Sequence, residues 1–156
     1  MKRVQLNANG MNLDCGTLNS GQVVRLVSRE HSGIMKTIRI ENRNQALPAP
    51  LQAIYCDRFP GRLRGLMFHP SLVNEEGQLL ARRRESRFAA SIHMFFVPFD
   101  LAIVWINSLH TVVDTAVARS WRSVIVPRQA ARYILEIHPC RLNEFKIGDQ
   151  VEFQHD

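Results

Sequence analysis

Cysteine is scarce in this chain. Cys15, Cys56 and Cys140 stand far apart in 156 residues, and no CxxC pair occurs. An odd number of thiols at wide spacing speaks against a disulfide framework or a zinc site. Reduced thiols suit the cytoplasm, which is the expected location. Long apolar runs are also missing. The blocks Met94–Phe99 and Leu101–Ile106 are interrupted by Asp100, and together they fall short of the ~20 residues a membrane-spanning helix needs. The start MKRVQLNANG has no apolar stretch behind its basic beginning, so no signal peptide is expected. Gly61–Gly65 matches neither a P-loop nor a GxGxxG turn. Metal donors do not cluster: His138 and Cys140 could share a face with His69 and Met94 nearby, but no tight set forms. No metal and no cofactor are therefore expected.

The composition is that of a folded domain. Hydrophobic residues make up 46% and charged residues 22%. A single domain of this length buries roughly 68–70% of its unfolded surface and needs no staple. The formal charge is +6, carried mostly by arginine. Such a balance favours anionic partners, and the guanidinium fork suits phosphate or carboxylate.

Residues 1–20 are polar and unpatterned and read as a flexible N-terminal arm; 21–156 read as one domain. Gln22–Val27 and Ile34–Ile40 are rich in β-branched residues and flank a polar segment, as in a hairpin. Glu41–Pro50 is a loop, and Leu51–Tyr55 a short strand. Pro60 opens a short helix within Phe59–Phe68. Asn74–Gly77 is a turn, Gln78–Arg82 a strand, and Arg82–Arg87 a charged loop. Met94–Phe96 and Leu101–Ile106 read as strands, the second apolar on both faces. Val112–Val117, Trp121–Val126, Arg132–Ile137 and Val151–Phe153 follow, with helical turns at Pro139–Phe145. The fold class is α+β and predominantly β: a curled, mostly antiparallel sheet or small partly open barrel with two or three short helices.

Four blocks carry a likeness to a known family. They are Arg64–Phe68 (RGLMF), Gly77–Leu80 (GQLL), His93–Ile106 (HMFFVPFDLAIVWI), and Tyr133–Glu136 with Ile147–Val151 (YILE and IGDQV). In this order they resemble the DUF192 family, also called UPF0127, over roughly Val23 to Phe153. Relatives typically read GMLF for GQLL, and many place isoleucine where Phe99 stands. The resemblance implies a compact, mostly β domain of α+β type. It implies no substrate, since none is established for the family.

Asp100 is the residue that most needs explaining, because a carboxylate between apolar blocks costs free energy unless it is partnered. It either pins a bend through amide or arginine partners, with Arg64 the candidate, or belongs to a ligand site. The first functional expectation is a small binding or accessory module. Its pocket near Asp100 would be lined by Arg64, Met67, His93, Met94, Asp100 and Trp121 and would take an anionic or small polar partner. The alternative is a nucleic-acid binder through Arg82, Arg83, Arg84 and Arg87, although no known binding motif is present and no interleaved aromatics are read among these arginines. A second alternative is an enzyme with Asp100 or His93 as acid–base group. A Ser86–His93–Asp100 triad can be drawn, but triads are defined by geometry, and the spacing places His93 and Asp100 on opposite faces of a regular strand.

Overall fold

The computed structural model describes residues 36–57, 72–121 and 124–155. Seven strands form one sheet: β1 Lys36–Asn42, β2 Leu51–Cys56, β3 Glu76–Ser86, β4 Leu101–Ile106, β5 Val112–Ala118, β6 Ala131–Ile137 and β7 Val151–His155. Their order is β5-β4-β6-β3-β2-β1-β7. All neighbours are antiparallel except β2 and β3, which run parallel. A 3-10 helix, Pro139–Glu144, is the sole helix among the described residues.

The sheet curls into a half-barrel, and its two edges meet at one end. Thr111, just before β5, bridges Gln150, just before β7. Val112 N–H donates to Asp149 O at 2.8 Å, Gly148 N–H to Val112 O at 2.8 Å, and Val151 N–H to His110 O at 2.9 Å. Gly148 turns the chain here with φ of +97°, a conformation that suits glycine. These bonds satisfy backbone groups that would otherwise stand open at the sheet edges.

Period-2 alternation sorts the side chains onto two apolar faces. Leu101, Ile103 and Trp105 of β4 pack with Cys56, Leu80, Met94, Val97 and Ile134. Ala102, Val104 and Ile106 pack on the opposite face with Ile38, Ile40, Leu51, Leu79, Leu135 and Ile137. β4 is thus buried on both faces, as its unbroken apolar sequence requires. Gly77 lets β3 and β6 approach: a Cβ there would lie 2.9 Å from both Glu136 O and Ile137 Cγ2.

Several sequence expectations change. β3 runs through Ser86, so Arg82–Arg84 belong to a strand rather than to a charged loop; it continues past the last β2 partner, with a register shift between Ala81 and Ser86. Met94–Phe96 is not a strand but part of a turn that plugs Met94 and Val97 into the core. The described residues of Trp121–Val126 form no strand and give the isolated bridge Ile125–Ile92 instead. Cys140 is disulfide-bonded, while Cys56 is a buried thiol whose Sγ accepts from Gln78 Nε2 at 3.2 Å. The thiols are therefore not all reduced, against the sequence expectation. Among the described residues, no helix is long and apolar enough to cross a membrane. The expected hairpin strand Gln22–Val27, the helix within Phe59–Phe68 and the N-terminal arm lie outside the described residues.

Candidate functional site

A layer of two loops covers the face of the sheet that carries Trp105, and it positions the residues of interest. The buried Trp105 indole N–H donates to Ala90 O at 2.8 Å, which fastens the first loop to β4. Ile92 and Ile125 exchange backbone bonds at 2.9 and 2.8 Å, which joins the second loop to the first. Arg87 Nε donates to Pro127 O at 3.0 Å at one end of this layer. At the other end Trp121 N–H donates to Val97 O at 3.4 Å.

Asp100 sits at that second end, half-buried. Its Oδ1 accepts from Ser120 N–H at 2.8 Å and its Oδ2 from Arg119 Nη1 at 3.2 Å. The hairpin explains the pairing. Leu101 faces Ala118 across β4 and β5, so one further step brings Asp100 onto Arg119. The carboxylate thereby holds Ser120 and the start of the second loop against the start of β4. Arg64, the candidate partner read from sequence, lies outside the described residues, as does Met67.

Next to Asp100 the first loop makes a four-residue turn in which Val97 N–H donates to Met94 O at 3.3 Å. Met94 and Val97 are buried, while Phe95 and Phe96 at the centre are each 50% exposed. Phe96 has φ of +62°, at the turn position that glycine or asparagine normally takes. Trp121 has φ of +57° and is 61% exposed. The two rings meet edge to face with centroids 6.2 Å apart. His93 is exposed and stacks on Phe95 at 5.8 Å. Each left-handed non-glycine residue costs on the order of 1 kcal/mol or more.

Of the six residues expected to line a pocket, the structure therefore gathers His93, Asp100 and Trp121 at one end of the loop layer. Met94 lies fully buried beneath them. Among the described residues His93 and Asp100 share no hydrogen bond. His93 lies against Phe95, Asp100 is occupied by Ser120 and Arg119, and Ser86 Oγ accepts from Ala89 N–H. The triad drawn from sequence is not assembled.

The deeply buried acids are others. Asp114 on β5 is 5% exposed. It accepts from Arg128 N–H at 2.7 Å, Arg128 Nε at 3.0 Å, Arg128 Nη2 at 2.6 Å and Thr115 N–H at 3.0 Å. Burial pushes its carboxyl up, but the Arg128 side-chain and backbone bonds outweigh that and hold it below the usual carboxylate range. Glu136 on β6 lies between Gln78 and Ile103 of the neighbouring strands. Burial raises its pKa to about 7 against the opposing pull of Arg82. Asp149, the acid of the IGDQV block, accepts from Asn42 Nδ2 at 2.7 Å and Lys146 N–H at 2.9 Å, so it is a structural clamp. No group of three potential metal donors occurs among the described residues.

Comparison with known proteins agrees with this architecture. The family model DUF192, described as an uncharacterised group, matches residues 30–153. A UPF0127 protein of Thermococcus gammatolerans is 42% identical over 80 residues, 51% of this chain and 50% of that protein. The chain thus spans about half the length of that relative. A UPF0127 protein of Pyrococcus furiosus is 33% identical over 122 residues, covering 76% of this chain and 90% of its own. A crystal structure from Sinorhizobium meliloti, provisionally named a transcription regulator, superposes with a TM-score of 0.67 at 18% identity over 80% of this chain and 97% of that one. At that identity it shares the fold. With its model spanning nearly all of the sheet, and the GQLL, HMFFVPFDLAIVWI and IGDQV blocks placed on β3, the loop–β4 junction and the β7 entrance, the chain belongs to the DUF192 (UPF0127) family.

Proposed function

We propose that this chain is a binding module whose recognition surface is the Asp100 end of the loop layer, formed by His93, Phe95, Phe96, Arg119 and Trp121. The observation that supports this most is the turn Met94–Val97 with its neighbour Trp121. Two large aromatic residues occupy left-handed backbone, where a smaller residue would be cheaper, and both remain open to solvent. Exposed aromatic groups on a firmly anchored frame favour partner binding over core packing. Asp100 supplies part of that frame. Arg119, with its side chain 45% exposed, adds a cationic edge beside the rings. The partner that suits such a surface carries a flat apolar group next to an anionic one.

Anilinonaphthalene sulfonate has this chemistry and serves as the probe. Calorimetric titration of the folded protein should show saturable binding, and Phe96→Ala or Trp121→Ala should weaken it at least tenfold at unchanged circular dichroism. Equal affinity in wild type and both variants would contradict the assignment. Mass spectrometry of the denatured native protein then asks which small molecule, if any, travels with it.

A further inference from the structure

The opposite end of the loop layer carries a second surface, distinct from the one above. Pairing of Ser86 with Ala131 brings two segments far apart in sequence to one end of the sheet. Arg83, Arg84 and Arg87 come from the first segment and Arg128 from the second; all four are exposed. Arg87 Nε reaches Pro127 O at 3.0 Å, the carbonyl that immediately precedes Arg128. Arg83 and Arg84 form no ion pair among the described residues. Two acids stand nearby. Asp114 is buried under Arg128, whose own side chain stays 71% exposed. Glu85 is turned toward the β4–β5 connection, where it accepts from Ser108 N–H at 2.7 Å and from the Ser108 hydroxyl.

Phe88 stands directly after these arginines and is 82% exposed. Its turn is braced, with Ser91 N–H and Oγ donating to Phe88 O at 3.2 and 2.8 Å and Ala89 N–H to Ser86 Oγ at 3.3 Å. A firmly held, solvent-facing phenyl ring next in sequence to exposed arginines offers the two elements that single-stranded nucleic acid requires: cations for the phosphates and a flat apolar face for a base. A duplex hides its base faces, and an acidic protein has no need of the ring.

We propose that the Ser86–Ala131 end of the sheet binds single-stranded nucleic acid, with Arg83, Arg84, Arg87 and Arg128 on phosphates and Phe88 stacked on a base. Elsewhere the described residues carry more acidic than basic side chains. The attraction is therefore local rather than a property of the whole surface.

Fluorescence anisotropy with labelled dT12 and rU12 oligonucleotides tests this in the full chain. Four phosphate contacts predict a log–log salt slope of about −3, from about −0.7 per contact on a single strand. Arg83→Glu with Arg84→Glu should weaken binding at least tenfold, and a thermal melt checks that the pair still folds; Arg83→Gln with Arg84→Gln serves if it does not. Phe88→Ala should weaken oligonucleotide binding by roughly 5- to 150-fold, the range expected for one stacked base, while leaving heparin binding unchanged. A preference for dT12 or rU12 tells which sugar is favoured, and either supports the site. No binding at 20 mM salt would overturn the proposal. So would binding untouched by these substitutions, an equal loss of heparin binding in Phe88→Ala, or a preference for duplex or anionic vesicles over the single strands.

Discussion

At the scale of single residues, the acid that the sequence makes conspicuous is not the one the fold buries. Asp100 draws attention because apolar residues flank it on both sides, yet it ends half-buried with an amide and an arginine as partners. Asp114 and Glu136 are almost wholly buried and are inconspicuous in sequence, because each alternates with residues on an evidently apolar face. Such alternation suggests that the intervening acid points to water. It does not, because the other face of the sheet is covered too, a fact that no local pattern contains. Asp114→Ala should cost about 2–3 kcal/mol in urea denaturation, since it removes four hydrogen bonds to a buried carboxylate. Asp100→Ala should cost about 1 kcal/mol, as expected for one amide bond and a solvent-screened ion pair. A reversed ranking would show that Asp100, and not Asp114, anchors the fold. The pairing of Asp100 with Arg119 could not be read from the sequence. A hairpin loop at Asn107–His110 would set Ile106 opposite Thr111 and Asp100 opposite Val117; the pairing of Ile106 with Val112 and the register shift beside it bring Arg119 there instead.

At the scale of elements, strands with clear alternation or unbroken apolarity were legible. β4, β6 and β7 lie close to where their patterns put them, and the helical turns expected at Pro139–Phe145 appear as the 3-10 helix Pro139–Glu144. Short apolar runs without a partner in view were not. Met94–Phe96 resembles a strand in composition, but its buried positions, Met94 and Val97, are three apart and belong to a turn. The parallel pairing of β2 with β3 was missed because it depends on the crossover between them rather than on either strand's residues. A buried staple was missed for a similar reason. Arg141 is 3% exposed and donates to Ala49 O, Pro50 O and Asn74 O at 2.7, 3.1 and 2.8 Å, with Glu144 balancing its charge. The carbonyls it binds lie more than sixty residues away in sequence. The contact between β3 and β6 supplies the test at this scale. Gly77→Ala should destabilise the protein by about 1–3 kcal/mol, because a methyl group would press on the Glu136 carbonyl and the Ile137 side chain. An unchanged midpoint in guanidinium chloride would mean that the two strands are less tightly apposed than this.

At the scale of the whole molecule, buried acids of opposite character shape the response to pH. Glu136 is held protonated to about pH 7 in the folded state, against an ordinary value of 4.5. The folded protein therefore binds the extra proton between those values. The stability linked to Glu136 is full below pH 4.5 and is lost as pH rises through 7, by an amount on the order of 3 kcal/mol. Asp114 acts the other way: its contribution is present above the ordinary carboxylate range and is lost as pH falls below it. His138 adds to the acid side, since burial lowers its pKa and its Nδ1 accepts from Cys140 N–H at 3.3 Å, a bond that only the neutral ring can make. Glu136→Gln should flatten the decline between pH 4.5 and 7 and leave the acid limb in place. Denaturation midpoints across that window check this, and a variant that keeps the wild-type slope would exclude Glu136 as its source.

The central claim is that the exposed aromatic turn exists for recognition and costs the fold stability to keep. Trp121→Gly tests it directly, with melting temperature and probe affinity measured on the same sample. Glycine relieves the left-handed backbone and removes an exposed ring. The account predicts a melting temperature equal to or above wild type, together with at least a tenfold loss of anilinonaphthalene sulfonate affinity. A melting temperature lowered by several degrees with affinity intact would make Trp121 a packing residue and contradict it.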